Sequence, residues 1–248
     1  VADRSVKTIL IVVDSPGGSV FGVQELADKI YQARDQKKVV AVASSIAASA
    51  AYWLAAQASE LVVTTGGQVG SIGVLAVHRD ESKAEELAGV KTTLIHAGEY
   101  KTEGDPSQPL SSEGAAYLQR SVDAYYGMFV NAVARGRGVS AAKVRNDFGK
   151  GRMVMAAEAK QLNMVDRVAT IDQVVNRLNP SSPGARAEIM HMLKAHQRED
   201  RLRDIAAQAA PPANAPSSSG RGTPEQAQRR AREVAAQVAR DAAKDRND

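Results

Sequence analysis

The sequence predicts an α/β fold. Two observations carry the prediction. Apolar runs of strand length recur through roughly the first 178 residues, and segments with helical apolar spacing separate them. A β-α-β-α order of this kind implies parallel strands joined by right-handed crossovers.

The elements follow in order. "KTILIVVD", ending at Asp14, is an apolar run and reads as a strand. "VFGVQELADKIYQAR" puts Val23, Leu26, Ile30 and Tyr31 on one face and reads as a helix. "KVVAVAS" is a second strand, and "ASAAYWLAAQA" the helix after it. "ELVVT" and "GSIGVLAVH" read as further strands, split by the turn "GGQ". "ESKAEELAG" reads as a helix and "VKTTLIHAG" as a strand. Helical spacing then runs from about Ser111 to Arg137, and "VSAAKVRNDFG" and "AAEAKQLN" are later helices. "MVDRVA" closes the pattern as a short strand.

Composition changes after this region. All ten aromatic residues lie between Phe21 and Phe148. We place a folded domain at residues 1–178 and a tail at 179–248. From residue 181 the tail carries 12 Lys/Arg against 9 Asp/Glu, with no core of its own. It reads as Ala-rich helices, or disorder, around a Pro/Ser/Gly linker at about 211–222. Thr223-Pro-Glu has the chemistry of a helix start. Val234, Ala235, Val238 and Ala242 form a thin apolar stripe that suits either a solvated helix or a scaffold-like assembly segment.

Bulk properties exclude several classes. The 248 residues carry a formal net charge of only +4, too dispersed to argue for nucleic acid. There is no cysteine, hence no disulfide and no thiolate metal site. No apolar run approaches the roughly 18 residues of a membrane span. The chain starts at Val1, almost on a strand, which leads us to expect a missing N-terminal segment. An anchor in that segment stays open.

Three stretches could do chemistry. "DSPGGSV", residues 14–20, follows a strand and precedes a helix. Its proline and paired glycines permit a sharp turn whose amides could hold an oxyanion. An ordinary tight turn reads the same way. "AASAA", residues 47–51, puts a serine among small neighbours where a strand hands over to a helix. That is the logic of a nucleophile elbow, with alanines in place of glycines. Ser49 opens the helix and is better placed than Ser44 or Ser45. A close-packed helix of small residues is the plain alternative.

A serine nucleophile needs a base. His78, with Asp80 close behind, would complete a Ser-His-Asp triad. Lys101 in "GEYKTEGDP" is the other choice. A lysine base has to be neutral, and an ordinary lysine ammonium titrates near pH 10.4, so such a site must desolvate it. On the residues alone both bases stay open.

Together, "DSPGGSV", "ASSIAASAAYWLAAQASELVVTTGGQVGSIGV" and "GEYKTEGDP" resemble the signal peptide peptidase A family of Ser-Lys peptidases. "LSSEGAAYLQRSVDAYYGMFVNAVARGRG" and "GRMVMAAEAKQLNMVDRV" look like that family's closing helices. The similarity covers about residues 6–178. It implies a crotonase/Clp-protease-like fold of stacked ββα units and a ring-shaped homo-oligomer. It implies Ser49 as nucleophile, Lys101 as general base and Ser71 as the hydroxyl that orients the lysine. Gly17, Gly18 and the Ala50 amide would build the oxyanion hole. No metal or organic cofactor is implied, and the partners would be peptides or proteins.

Two features depart from the family pattern. Asp14 stands where many relatives have Asn, and we expect the family's usual start, including at least one more strand, to lie outside this sequence. "AASAAYWLA" and the polar tail look closest to the capsid assembly proteases of phages and prophages. That reading implies scaffold and head proteins as substrates and a place in the host cytoplasm with the prohead. The alternatives are a membrane-associated signal peptide peptidase, a crotonase-type acyl-CoA enzyme and an inactive assembly protein.

Overall fold

The computed structural model describes residues 2–178 and, beyond them, residues 187, 190, 191, 194, 195 and 198. The chain divides into two units, Val1–Val174 and Val175–Asp248. The expectations for the linker and the last helix lie outside the described residues.

The α/β class holds. Among the described residues six strands form one sheet: β1 (Thr8–Ser15), β2 (Lys38–Ala48), β3 (Glu60–Val63), β4 (Gln68–Gly70), β5 (Met153–Met155) and β6 (Arg167–Val168). β2 is its axis. β1 runs parallel along one edge of β2, from Thr8 opposite Lys38 to Ser15 opposite Ala47. The other edge is shared: β3 pairs with Val40–Ala43 and β4 with Ile46–Ala48. β6 extends β3 in parallel, while β5 joins β4 antiparallel. Val39 to Ala43 are fully buried, which explains why β2 is a continuous apolar run rather than an alternating one.

Among the described residues there are seven α-helices: α1 (Val23–Ala33), α2 (Ala50–Ala55), α3 (Ser82–Leu87), α4 (Ser112–Arg137), α5 (Ala141–Asp147), α6 (Ala156–Gln161) and α7 (Ile171–Leu178). The small residues of the 47–56 stretch are a packing requirement. Ala47, Ala48, Ala50, Ala51, Ala55 and Ala56 are all buried. At Gly136 of α4, an added Cβ would lie 2.2 Å from the Ala56 carbonyl oxygen, so only glycine fits that crossing. Trp53 stacks on Phe129 of α4, ring centroids 4.6 Å apart. Fully buried Gln57 is satisfied: its amide donates to the Trp53 and Ala132 carbonyls and accepts from Arg135.

α4 starts where the sequence predicts. The Ser111 hydroxyl accepts from the Gly114 amide at 2.9 Å, and Gly138 ends the helix in the left-handed conformation. The helix is about 39 Å long. Apart from Gly114, its buried residues lie in the second half, from Phe129 to Gly136.

At its C-terminal end, Arg137 grips Asp166 through two bonds of 2.8 and 2.7 Å. Asp166 also accepts from the Leu61 amide at 2.7 Å. Burial opposes the charged carboxylate, but these bonds outweigh it and hold the Asp166 pKa below its ordinary value. A depressed carboxylate stabilises the fold above its unfolded pKa. That stabilisation is lost as pH falls below about 4 and through the folded value. Arg137→Ala is expected to cost about 2–3 kcal/mol, less than a fully buried pair would. The discount arises because Asp166 is 40% exposed although Arg137 is only 5% exposed. Urea titration at neutral pH and near pH 3 checks both statements: the penalty shrinks in acid.

Several details differ from the sequence reading. Leu26 leaves the core face and is 47% exposed, while Val23 and Ala27 are buried and Ile30 packs against the core. "GSIGVLAVH" is strand only at its first residue, Gly70, and "VKTTLIHAG" is not a strand. Both segments have strand-like composition, but a strand also needs a neighbour to pair with, and these find none among the described residues. Their side chains stay in water: Leu75 is 79%, Val77 70% and Ile95 96% exposed, with Leu87 between them at 91%. β5 is a three-residue strand that the sequence reading missed.

Candidate active site

One end of the sheet gathers the predicted residues other than Lys101. The parallel strands β1, β2 and β4 point their C-terminal ends there and lead into Gly17, Ser49 and Ser71. β5 runs the other way, so the residue before it, Arg152, arrives at the same end.

Ser49 stands between β2 and α2 with φ 54° and ψ −127°. An L-residue held there carries strain of about 1–3 kcal/mol. Two bonds hold it: its amide donates to the Gly70 carbonyl at 2.8 Å, and its carbonyl accepts from the Trp53 amide at 3.0 Å. Its side chain is half-buried at the mouth of the turn. The geometry is that of a nucleophile elbow, a sharp strand-to-helix turn with the hydroxyl at its apex.

Gly17 presses against this turn. A Cβ on Gly17 would lie 2.7 Å from Ser49 Cβ, 2.8 Å from the Ala48 carbonyl oxygen and 3.1 Å from the Ala50 nitrogen. Its φ of 100° also requires glycine. The Gly17 amide donates to Ser15 Oγ at 3.2 Å. That leaves Gly18, whose Cα faces open space, as the freer amide on this side. Across the turn, Ala50 is the first residue of α2, where a helix leaves its amides without internal partners.

Gly17→Ala should therefore displace Ser49. We expect a loss of about 1–3 kcal/mol in stability and a fall in kcat/KM of roughly 100-fold. Gly18→Ala, with space around it, should melt like the parent. Thermal melts and peptide hydrolysis of the two variants check the contrast.

Ser71 also holds a positive φ, 51°, and donates its amide to the Arg152 carbonyl at 2.9 Å. It follows Gly70, whose carbonyl anchors Ser49. Ser49, Ser71, Gly17, Gly18 and Ala50 are thus brought together within one chain.

Lys101 is not joined to them. It lies exposed in a turn, its amide donating to the Gly98 carbonyl at 3.2 Å, and no hydrogen bond links it to Ser49 or Ser71 of the same chain. His78 does not replace it. The ring Nε2 lies 3.4 Å from the Asp105 carbonyl, and the Asp80 carboxylate is occupied by the amide and hydroxyl of Ser82. The sequence assigns no site role to residues 149–152 behind Ser71, although a lysine between two glycines in "FGKGR" marks a tight turn. No described helix is long and apolar enough to cross a membrane.

Comparison with known proteins gives a consistent picture. Residues 31–182 match the model of peptidase family S49. A relative named as a protease in Methanocaldococcus jannaschii is 33% identical over 188 residues, covering 76% of this chain and 60% of that protein. Capsid assembly protease C of Escherichia phage lambda is 39% identical over 139 residues, 56% of this chain and 32% of that protein. The chloroplastic serine protease SPPA of Arabidopsis thaliana is 27% identical over 173 residues, 69% of this chain and 25% of that protein. The chain thus spans 60% or less of the length of these relatives. Among solved structures, a membrane-bound stomatin-specific protease in complex with a substrate peptide has a TM-score of 0.46 at 16% identity, over 70% of this chain and 66% of that one.

Proposed function

The chain belongs to peptidase family S49, and from that premise we propose that it is a serine endopeptidase with a Ser49–Lys101 dyad. The observation that carries the proposal is the strained elbow at Ser49, with Gly17 packed against it and the Ala50 amide beside it. Strain of this kind persists where function uses it.

The reaction is acyl transfer. Neutral Lys101 takes the proton from Ser49 Oγ, which attacks the peptide carbonyl. The amides of Ala50 and of Gly17 or Gly18 receive the negative charge on the carbonyl oxygen. With its own amide turned toward Ser15, Gly17 shapes the hole and Gly18 donates. The lysine ammonium, oriented by Ser71, then protonates the leaving amine, and water releases the acyl group from the serine.

A lysine base needs a site that keeps water away from it. In our reading a second copy supplies the missing cover. The segment that carries Lys101 exposes Leu75, Val77, Leu87 and Ile95, a large apolar load for a lone surface. Packing it against a neighbour in a ring would bury these side chains, desolvate Lys101 and bring it to a serine.

The substrates we favour are phage head and scaffold proteins, with the protease acting in the host cytoplasm on the prohead. The 39% identity to the lambda capsid assembly protease supports this reading.

Fluorophosphonate labelling of the full-length oligomer tests the dyad. The label should sit on Ser49, vanish in Ser49→Ala, fall strongly in Lys101→Ala and persist in His78→Ala. Labelling that depends on His78 and not on Lys101 would overturn the assignment.

A further inference from the structure

We infer that Lys150 and Arg152 form a cationic subsite beside Ser49, one that selects peptides with an acidic side chain near the scissile bond. The inference rests on the peptidase reading and adds its substrate class.

Gly149, Lys150 and Gly151 have φ values of 80°, 50° and 88°, three left-handed residues in a row. Glycine adopts this conformation freely and lysine does not. The lysine side chain is thus kept at a position where glycine would fit with less strain. Among the described residues, only four other than glycine have a positive φ: Ser49, Ser71, Lys150 and Asn163. Three of the four meet at the active end of the sheet. The fourth, Asn163, lies just past the end of α6, and its carbonyl accepts from Arg137.

The contacts place the loop. The Ser49 amide is bonded to Gly70 at 2.8 Å, and the amide of the next residue, Ser71, to Arg152 at 2.9 Å. A Cβ on Gly70 would lie 2.9 Å from the Arg152 carbonyl oxygen, and one on Gly73 would lie 3.9 Å from the Gly151 Cα. Two hydrogen bonds and one peptide unit therefore separate the Arg152 backbone from the nucleophile's own backbone. Lys150 and Arg152 are exposed, and among the described residues neither side chain enters an ion pair or hydrogen bond. The acid closest before them in sequence, Asp147, is engaged by Lys143 at 3.5 Å.

Two free cations beside a peptide-binding site attract a carboxylate. The guanidinium can hold it in a two-pronged bond, and the ammonium adds a point charge. The carboxylate could belong to an Asp or Glu side chain or to a peptide C-terminus.

The test uses the full-length Ser49→Ala protein, so that binding is read without turnover. Matched fluorescent peptides carry Glu, Gln or Lys at the central position, each with a free or an amidated C-terminus. Fluorescence anisotropy should give about tenfold tighter binding for Glu than for Gln at low salt, with the advantage shrinking at high salt. Lys150→Glu combined with Arg152→Glu should reverse the order in favour of the Lys peptide. Lys150→Gly should lose much of the Glu advantage without lowering the melting temperature. Equal binding of Glu and Gln peptides overturns the inference. So does a Glu preference untouched by the charge reversal, a preference that follows the free C-terminus alone, or a clear drop in melting temperature for Lys150→Gly. The peptidase reading fails separately. Glu-selective binding in a parent protein that never cleaves would remove the catalysis and keep the subsite, and cleavage without Glu preference would do the reverse.

Discussion

Ser49→Ala is expected to abolish peptide cleavage and to leave the domain folded. The expected loss is roughly 10⁴-fold or more, the scale seen when the nucleophile of a serine peptidase is removed. Folding should hardly respond, because alanine meets the same backbone conformation as serine, and the bonds at this turn run through the Ser49 amide and carbonyl. Ser49→Gly sharpens the contrast. At φ 54° and ψ −127° glycine relieves strain that serine and alanine bear. That variant should be equally dead yet more stable, by about 1–3 kcal/mol. Melting temperatures beside hydrolysis rates check the pair. An alanine variant within tenfold of parental activity would remove Ser49 from the chemistry. A glycine variant that melts lower would remove the strain from the account.

The same local rules explain why much of this was legible in the sequence. β2 and α2 were readable because an apolar run and a small-residue helix each have a composition that one environment demands. Burial of Val39 to Ala43 on both faces requires the first, and the Ala56–Gly136 crossing requires the second. The meeting of Gly17, Ser49 and Ser71 was readable by resemblance, and in physical terms it follows from parallel strands ending on one side. What could not be read depends on neighbours that local sequence does not name. "GSIGVLAVH" and "VKTTLIHAG" have strand composition, but without a paired edge they are coil in the single chain. Leu26 fits the helical stripe, yet the stripe that packs is rotated toward Val23 and Ala27. β5 is too short to show a period, and its role comes from pairing with β4. Lys101 is the sharpest case: the sequence marks it clearly, but the single chain leaves it in water.

That gap makes the lysine's partner the second large effect. Lys101→Ala alone should remove cleavage nearly as fully as Ser49→Ala, because without a base the serine hydroxyl keeps its proton. The two variants separate when they are mixed. If Lys101 serves Ser49 of its own chain, every site in a mixture lacks one group and activity stays absent. If it serves a neighbour, a Lys101→Ala chain offers its serine to the lysine of an adjoining Ser49→Ala chain. With random head-to-tail pairing in a ring, about a quarter of the sites would then be complete. The exposed apolar side chains of the segment that carries the lysine favour the second outcome, since a neighbouring copy would both cover them and dry the amine. Unfolding and refolding the variants together, so that subunits exchange, and then measuring hydrolysis decides it. Recovery toward a quarter of the parental rate places the dyad across an interface. No recovery, with mixed rings verified by mass, returns the lysine to its own chain and requires the 98–105 turn to move onto the elbow.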